Sequence, residues 1–147
     1  MEIEHKELHE QLAKAINVGG KTGEASKDIA ELLHPHFEKE EEYAMPPLGL
    51  LNSLSKEGEL EITKSSDILQ NILIMTDKLK EDLPNMLGEH KQIVNALQRL
   101  IEAAEGENKP EYVHFAEKLR LHTQIEEEVL YPAAILIGEY LKCKSAR

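Results

Sequence analysis

The chain has 147 residues, of which 41% are hydrophobic and only 4% aromatic, so one domain with an aliphatic core is expected. Its formal net charge of −11 argues against nucleic acid as a partner, because an acidic surface repels phosphate. The single cysteine, Cys143, excludes an internal disulfide and a thiolate metal cluster, in agreement with a reducing cytoplasm.

The N-terminal region lacks the apolar segment of a signal peptide, and no apolar run approaches the ~20 residues of a membrane span. The longest such run, from Val129 to Gly138, is interrupted by a proline. We therefore expect a cytoplasmic protein without a membrane partner.

Hydrophobic periodicity predicts helices along the chain and strand alternation nowhere. The predicted helices cover approximately residues 2–17, 24–44, 47–55, 65–79, 84–106, 111–130 and 132–141. Glycines predict a breaker loop over residues 19–23, and a polar turn is predicted over 56–59. Pro84 is placed at a helix start, where proline is tolerated.

One eleven-residue pattern occurs twice, beginning at His36 and at His122. Each copy reads H-x-x-x-E-E-E-x-x-x-P. Upstream of each copy stands a shorter shared phrase, E-H-K, with its histidine at His5 or at His90. The two pairs of matching histidines are offset by 90 − 5 = 85 and 122 − 36 = 86 residues. The chain is therefore predicted to consist of two similar halves.

The halves cover about residues 1–55 and 84–143, with an insertion over about 56–83. The four long predicted helices are the ones that carry the repeated phrases. We therefore predict an all-α fold, an up-and-down four-helix bundle built from two repeated helical hairpins with extra short helices.

The spacing within the repeated pattern places a histidine and a glutamate on one helix face. Residues i and i+4 lie one turn apart, so His36 and Glu40 point the same way, as do His122 and Glu126. Facing helices of a bundle can bring such pairs together in the core. Imidazole nitrogen with carboxylate oxygen suits iron, manganese or zinc. We predict a pseudo-symmetric two-metal centre in which one carboxylate from each half bridges the ions.

The alternative interpretation is that the histidine–glutamate pairs lie on the protein surface and bind no metal. A single H-x-x-x-E pair in a charged helix is more often a solvated pair than a ligand set. Gene duplication that preserved surface charge would explain why the halves are similar. It would not explain why the matching positions are histidine and glutamate in both halves.

The glutamate triplets leave the register of the carboxylate ligands open. Three consecutive helical residues span about 200° of the helix, so only one or two of them can face inward. Glu40 and Glu126, at i+4, are the preferred ligands. Glu41 and Glu127, at i+5, are the alternatives, and the third glutamate of each triplet is expected to face solvent.

Three further histidines and two tyrosines lie near the repeated phrases. His9 lies one turn beyond the first shared histidine, so geometry leaves it open as a further ligand. His34 and His114 point away from the ligand faces and are predicted not to bind metal. Tyr43 and Tyr131 are candidate hydrogen-bond partners of a ligand, and Tyr43 is the better candidate of the two, although a core role is the favoured interpretation.

The ordered pattern of histidines and glutamates resembles the hemerythrin-like domain, also called the HHE cation-binding domain, over nearly the whole chain. The resemblance implies a four-helix bundle around a non-heme di-iron centre, in which two carboxylates and an oxo or hydroxo group bridge two iron ions. The implied ligands are His5, His36, Glu40, His90, His122 and Glu126.

The phrase E-H-K-E-L-H over residues 4–9 is also similar to the two-histidine helix of the oxygen-carrying hemerythrins. This similarity adds His9 to the implied ligands and brings the set to five histidines and two carboxylates. The two-histidine helix is first in this chain, whereas it is third in the oxygen carriers.

The resemblance implies a metal-binding protein that binds or senses O2 or NO at the di-iron centre, or that serves iron homeostasis. We favour such a binding role over a turnover enzyme. One alternative is a di-iron enzyme that reduces peroxide or nitric oxide, which turnover with a reductant would reveal. Another is a metal-responsive interaction module with its surface near residues 133–141, which a metal-dependent oligomeric state would reveal.

Overall fold

The computed structural model describes residues 2–51 and 66–145, and these residues contain helices and no strand. The α-helices are α1 (Glu2–Asn17), α2 (Gly20–Lys39), α3 (Ser66–Gly106), α4 (Pro110–Ile125) and α5 (Tyr131–Ser145). Two π-helical segments, Glu40–Ala44 and Glu126–Leu130, follow α2 and α4 directly. Four long helical stretches result, which confirms the predicted all-α class. No described helix is long and apolar enough to cross a membrane.

The region after α2 agrees with its prediction only in part. A 3₁₀ helix, Pro46–Leu50, stands where a short helix over 47–55 was predicted. Residues 52–65, including the predicted polar turn at 56–59, lie outside the described residues. Residues 66–83 of the predicted insertion form the first part of α3.

The predicted loop over residues 19–23 is wrong, because α2 already begins at Gly20. Gly19 and Gly20 have φ angles of 76° and 62°, so the chain reverses within two glycines. Glu107 then provides hydrogen-bond acceptors for groups in the first turn of α2, where backbone N–H groups have no helical partner. Its Oε1 accepts hydrogen bonds from the Thr22 backbone N–H at 2.7 Å and the Thr22 hydroxyl at 2.6 Å. These bonds hold the pKa of Glu107 below its ordinary value.

The predicted helix start at Pro84 is also wrong, because Pro84 lies inside the 41-residue helix α3. Proline removes one helical hydrogen bond, but Pro84 is exposed, and buried side chains continue on both sides of it. These buried residues recur at seven-residue steps, at Ile72, Leu79, Met86, Ile93 and Leu100. The unbroken apolar face holds the helix together through the proline.

The contacts divide the chain into two compact units, Met1–Glu38 with Asn85–Ile125 and Lys39–Pro84 with Glu126–Arg147. The first unit contains α1, α4 and most of α2, together with the second half of α3. Its buried core consists of Leu8, Leu12, Ile29, Leu33, Phe37, Ile93, Ala96, Leu97, Leu100, Ile101, Phe115, Ala116 and Leu119. This core is aliphatic apart from two phenylalanines, as the composition predicts.

The second unit packs α5 against the first half of α3. Leu69 and Ile72 of α3 form a small core with Ile137 and Leu141 of α5. At its margin, Lys80 pairs with Glu139 at 3.0 Å, and Lys142 pairs with Asp77. These exposed ion pairs add little stability, so the apolar contact carries the packing.

Gly138 permits the close approach of α5 to α3. A Cβ atom at this position would collide with Thr76 Oγ1 and lie 2.5 Å from Thr76 Cβ. We predict that Gly138→Ala lowers the free energy of unfolding by about 1–3 kcal/mol, as expected for overpacking, measured by urea denaturation. Gly88→Ala is the matched control, because its Cβ would meet nothing within 4 Å. The control should raise the stability by about 0.4–1 kcal/mol. Equal effects of the two substitutions would contradict the packing argument.

Candidate metal centre

Six ionisable side chains of the repeated phrases are buried within a helical protein. They are His5, His36, Glu40, His90, His122 and Glu126. By contrast, the second and third glutamates of each triplet are exposed. Burial of a carboxylate is costly unless a hydrogen bond, a counter-charge or a metal compensates for lost water. The burial pattern therefore selects the first glutamate of each triplet as the inward residue.

The two buried glutamates each begin a π-helical segment. Glu40 opens the segment Glu40–Ala44, and Glu126 opens Glu126–Leu130. In the first segment the Met45 N–H donates to the Glu40 carbonyl at 2.8 Å, which is the i→i+5 bond of a π-helix. Such segments are rare and are found often at functional sites. The predictions of plain α-helix to residues 44 and 130 did not include them.

His36 and His90, both in the first unit, form one histidine pair. Their Nε2 atoms lie 2.8 Å apart, and their ring centroids are separated by 4.6 Å. Two imidazole nitrogens bound at right angles to one ion, each about 2.1 Å from it, would lie about 3 Å apart. The two rings are therefore close to the separation that a shared metal ion requires.

His5 and His122 form the second pair of the same unit. Their ring centroids are 5.4 Å apart, with the planes at 67°. Phe37 stacks on the His5 ring at 4.0 Å and 8°, which fixes the orientation of that imidazole.

A glutamate orients one histidine of each pair. His36 Nδ1–H donates to Glu89 Oε1 at 2.8 Å, and His122 Nδ1–H donates to Glu4 Oε1 at 2.9 Å. A carboxylate on Nδ1 selects the tautomer whose Nε2 lone pair can bind a metal, and it raises the basicity of that nitrogen.

The orienting glutamates are the first residues of the two E-H-K phrases. Each E-H dipeptide therefore supplies one buried histidine and one carboxylate for the other histidine of the same pair. Helical spacing predicted no role for Glu4 and Glu89. The signal was present, since the glutamate is repeated along with the histidine.

A tyrosine contacts one of the buried glutamates. The Tyr131 hydroxyl donates to Glu40 Oε1 at 2.7 Å, and both side chains are buried. The preference for Tyr43 as the hydrogen-bond partner is wrong, because its hydroxyl donates to Asp82 instead, whereas the favoured core role of Tyr43 is confirmed by its burial. Sequence spacing alone favoured Tyr43, whereas the contact joins residues 91 positions apart.

The buried residues form two groups that can each hold a metal ion. The groups are His5, Glu40, His122 and Glu126, and His36, Glu40, His90 and Glu126. Within a group, one ligand atom of each residue lies within 4.8 Å of the others. Two imidazoles with two carboxylates fit iron, manganese or zinc. Glu40 and Glu126 belong to both groups, which is the arrangement expected of carboxylates that bridge two ions.

His9 belongs to neither group. Its half-buried ring stacks on His34 at 4.9 Å and meets Phe37 edge-on at 5.2 Å. Its role as a ligand stays a prediction. His34 and His114 are exposed and also lie outside the two groups.

The chain belongs to the family described as Hemerythrin HHE cation binding domain, which it matches over residues 1–134. No curated protein and no solved structure gives a match. Membership confirms the resemblance noted in the sequence and, with the helices described above, an all-α hemerythrin-like bundle. Family and buried groups together indicate a protein that binds a metal cation.

The hydrogen bond from Tyr131 to Glu40 can be tested by its effect on metal affinity. We predict that Tyr131→Phe weakens binding of a divalent ion about 10–100-fold, because the ligand carboxylate loses its fixed donor. Cobalt titration of the metal-free protein would measure the effect. Tyr43→Phe is the matched control, since it removes a bond to Asp82 and should leave the affinity unchanged. A larger effect of the Tyr43 substitution would argue against this role of Tyr131.

Proposed function

We propose that the protein binds two iron ions in a non-heme di-iron centre and there binds or senses O2 or NO, or serves cellular iron homeostasis, in the cytoplasm. The observation that carries this proposal is the sharing of Glu40 and Glu126 by two four-residue groups. Each group adds two histidines of its own, so the donor set is sufficient for two ions.

Charge supports occupation of these groups by cations. Glu40 and Glu126 are buried, and one oxygen of each lies within 4.8 Å of the other. Two carboxylates at this distance repel one another strongly where little water screens them. Glu40 and Glu126 would hold divalent cations, and the attraction would replace this repulsion and stabilise the folded protein.

The donor count supports binding of a small ligand. Each ion would receive two imidazoles and two shared carboxylates, which leaves coordination positions for an exogenous molecule. When bound, iron supplies the capacity to bind a diatomic molecule and to exchange electrons with it. The protein residues hold the site ready: Glu4 and Glu89 fix histidine tautomers, Tyr131 holds Glu40, and burial limits the access of water.

Iron titration tests the proposal directly. Ferrous iron added without oxygen should bind at two ions per chain, with the metal content counted after removal of free iron. Exposure to air should produce a new visible absorption band, and removal of oxygen should reverse it. Irreversible oxidation would instead favour redox chemistry over ligand binding. Folded protein that retains less than stoichiometric iron would contradict the di-iron centre.

Substitutions distinguish shared ligands from unshared ones. Glu40→Ala should abolish high-affinity binding of both ions, because both groups lose a donor. His90→Ala should leave one ion bound, because only one group contains His90. The exposed neighbour Glu41 provides the control, and Glu41→Ala should still bind two ions. Loss of only one ion in Glu40→Ala would show that this carboxylate does not bridge.

A further inference from the structure

The His36–His90 pair is closely preset for a metal ion. Its two Nε2 atoms already lie 2.8 Å apart, at hydrogen-bond distance, and a metal ion would replace the proton that His90 donates to His36. His36 is oriented by Glu89, whose side chain is 29% exposed. His90 and Glu89 lie in the interior of the long helix α3, far from either end. Residues in such positions rarely open, so little reorganisation is needed when an ion binds.

In the His5–His122 pair Phe37 fixes the His5 ring, but His122 is held more loosely than His36, although the sequence phrase is the same. Its ring centroids are 5.4 Å apart, compared with 4.6 Å in the other pair. Glu4, which orients His122, is 44% exposed. Water therefore competes for the Glu4 carboxylate more than for that of Glu89, so the hydrogen bond to His122 holds its imidazole less firmly than the bond to His36 does.

We propose that the two metal positions fill in a fixed order, the His36–His90 position first, and that the His5–His122 position is the exchangeable one. This inference rests on the proposed two-ion centre. In this centre Glu4 is the positioning residue of the exchangeable His5–His122 position. Glu89 has the same role at the His36–His90 position, which fills first.

The shared carboxylates separate the two binding steps further. Glu40 and Glu126 belong to both groups, so a first ion would neutralise part of their negative charge. A second dication then enters a site that already holds a positive charge a few ångströms away. This repulsion separates the two binding steps, so that the weaker position loads and unloads while the stronger one remains filled.

The order of filling is tested by titrating the full metal-free chain with cobalt. Calorimetry and visible absorption monitor the titration. The wild-type protein should show two steps whose dissociation constants differ at least about tenfold. Glu4→Ala should weaken only the second step, by about 10–100-fold, and Glu89→Ala should weaken the first step by a similar factor. Glu4→Gln should restore part of the loss, because the amide oxygen still accepts a hydrogen bond from His122 Nδ1.

Control variants and a spectroscopic readout separate positioning from a general effect on folding. Glu7→Ala in α1 and Glu102→Ala in α3 remove exposed glutamates and should leave both steps unchanged. At one equivalent of cobalt, paramagnetically shifted proton resonances should come from the His36–His90 pair alone. Helical circular dichroism should be the same in all variants.

The outcomes distinguish this proposal from the function on which it rests. Two cobalt ions that bind in one indistinguishable step, or Glu4→Ala weakening the first step, would overturn the fixed order and leave the two-ion centre intact. Binding of fewer than two ions by the wild-type protein would overturn both.

Discussion

The burial of two carboxylates, Glu40 and Glu126, is the constraint on which the other features of the centre depend. A buried carboxylate needs compensation, and this chain provides it through hydrogen bonds and a composition of donors suited to cations. Tyr131 donates to Glu40, and four imidazoles complete the two groups. The rest of the helical scaffold, with its aliphatic core, serves to hold these polar groups where water cannot easily reach them.

Sequence periodicity predicted the helices correctly where their apolar faces are continuous. It predicted breaks wrongly where a proline or a pair of glycines is compensated by contacts with residues distant in the sequence. Proline suggested a break at Pro84, yet buried residues at seven-residue steps continue past it. The glycines suggested a loop over residues 19–23, yet Glu107, 85 positions beyond Thr22, supplies the acceptor that allows α2 to begin at Gly20. In both regions the glycine or proline was visible, but the compensating interaction was not.

At the metal centre, too, local spacing could be predicted from the sequence and contacts between distant residues could not. Helical spacing was sufficient to select Glu40 and Glu126 as inward residues, because i and i+4 positions depend only on local geometry. It could not identify the orienting groups, Glu4 and Glu89, since each acts on a histidine of another helix. The π-helical segments were equally hidden, because an extra residue in one turn leaves no mark in a run of three identical glutamates.

The E-H dipeptides have a consequence for how these helices can change in evolution. In α1, Glu4 serves His122 while His5 is itself a member of the site, so one stretch of two residues acts in two directions. A shift of α1 by a single residue, which rotates its side chains by about 100°, would displace both at once. Insertions and deletions within α1 should therefore be rare among functional relatives, whereas its exposed face is free to vary.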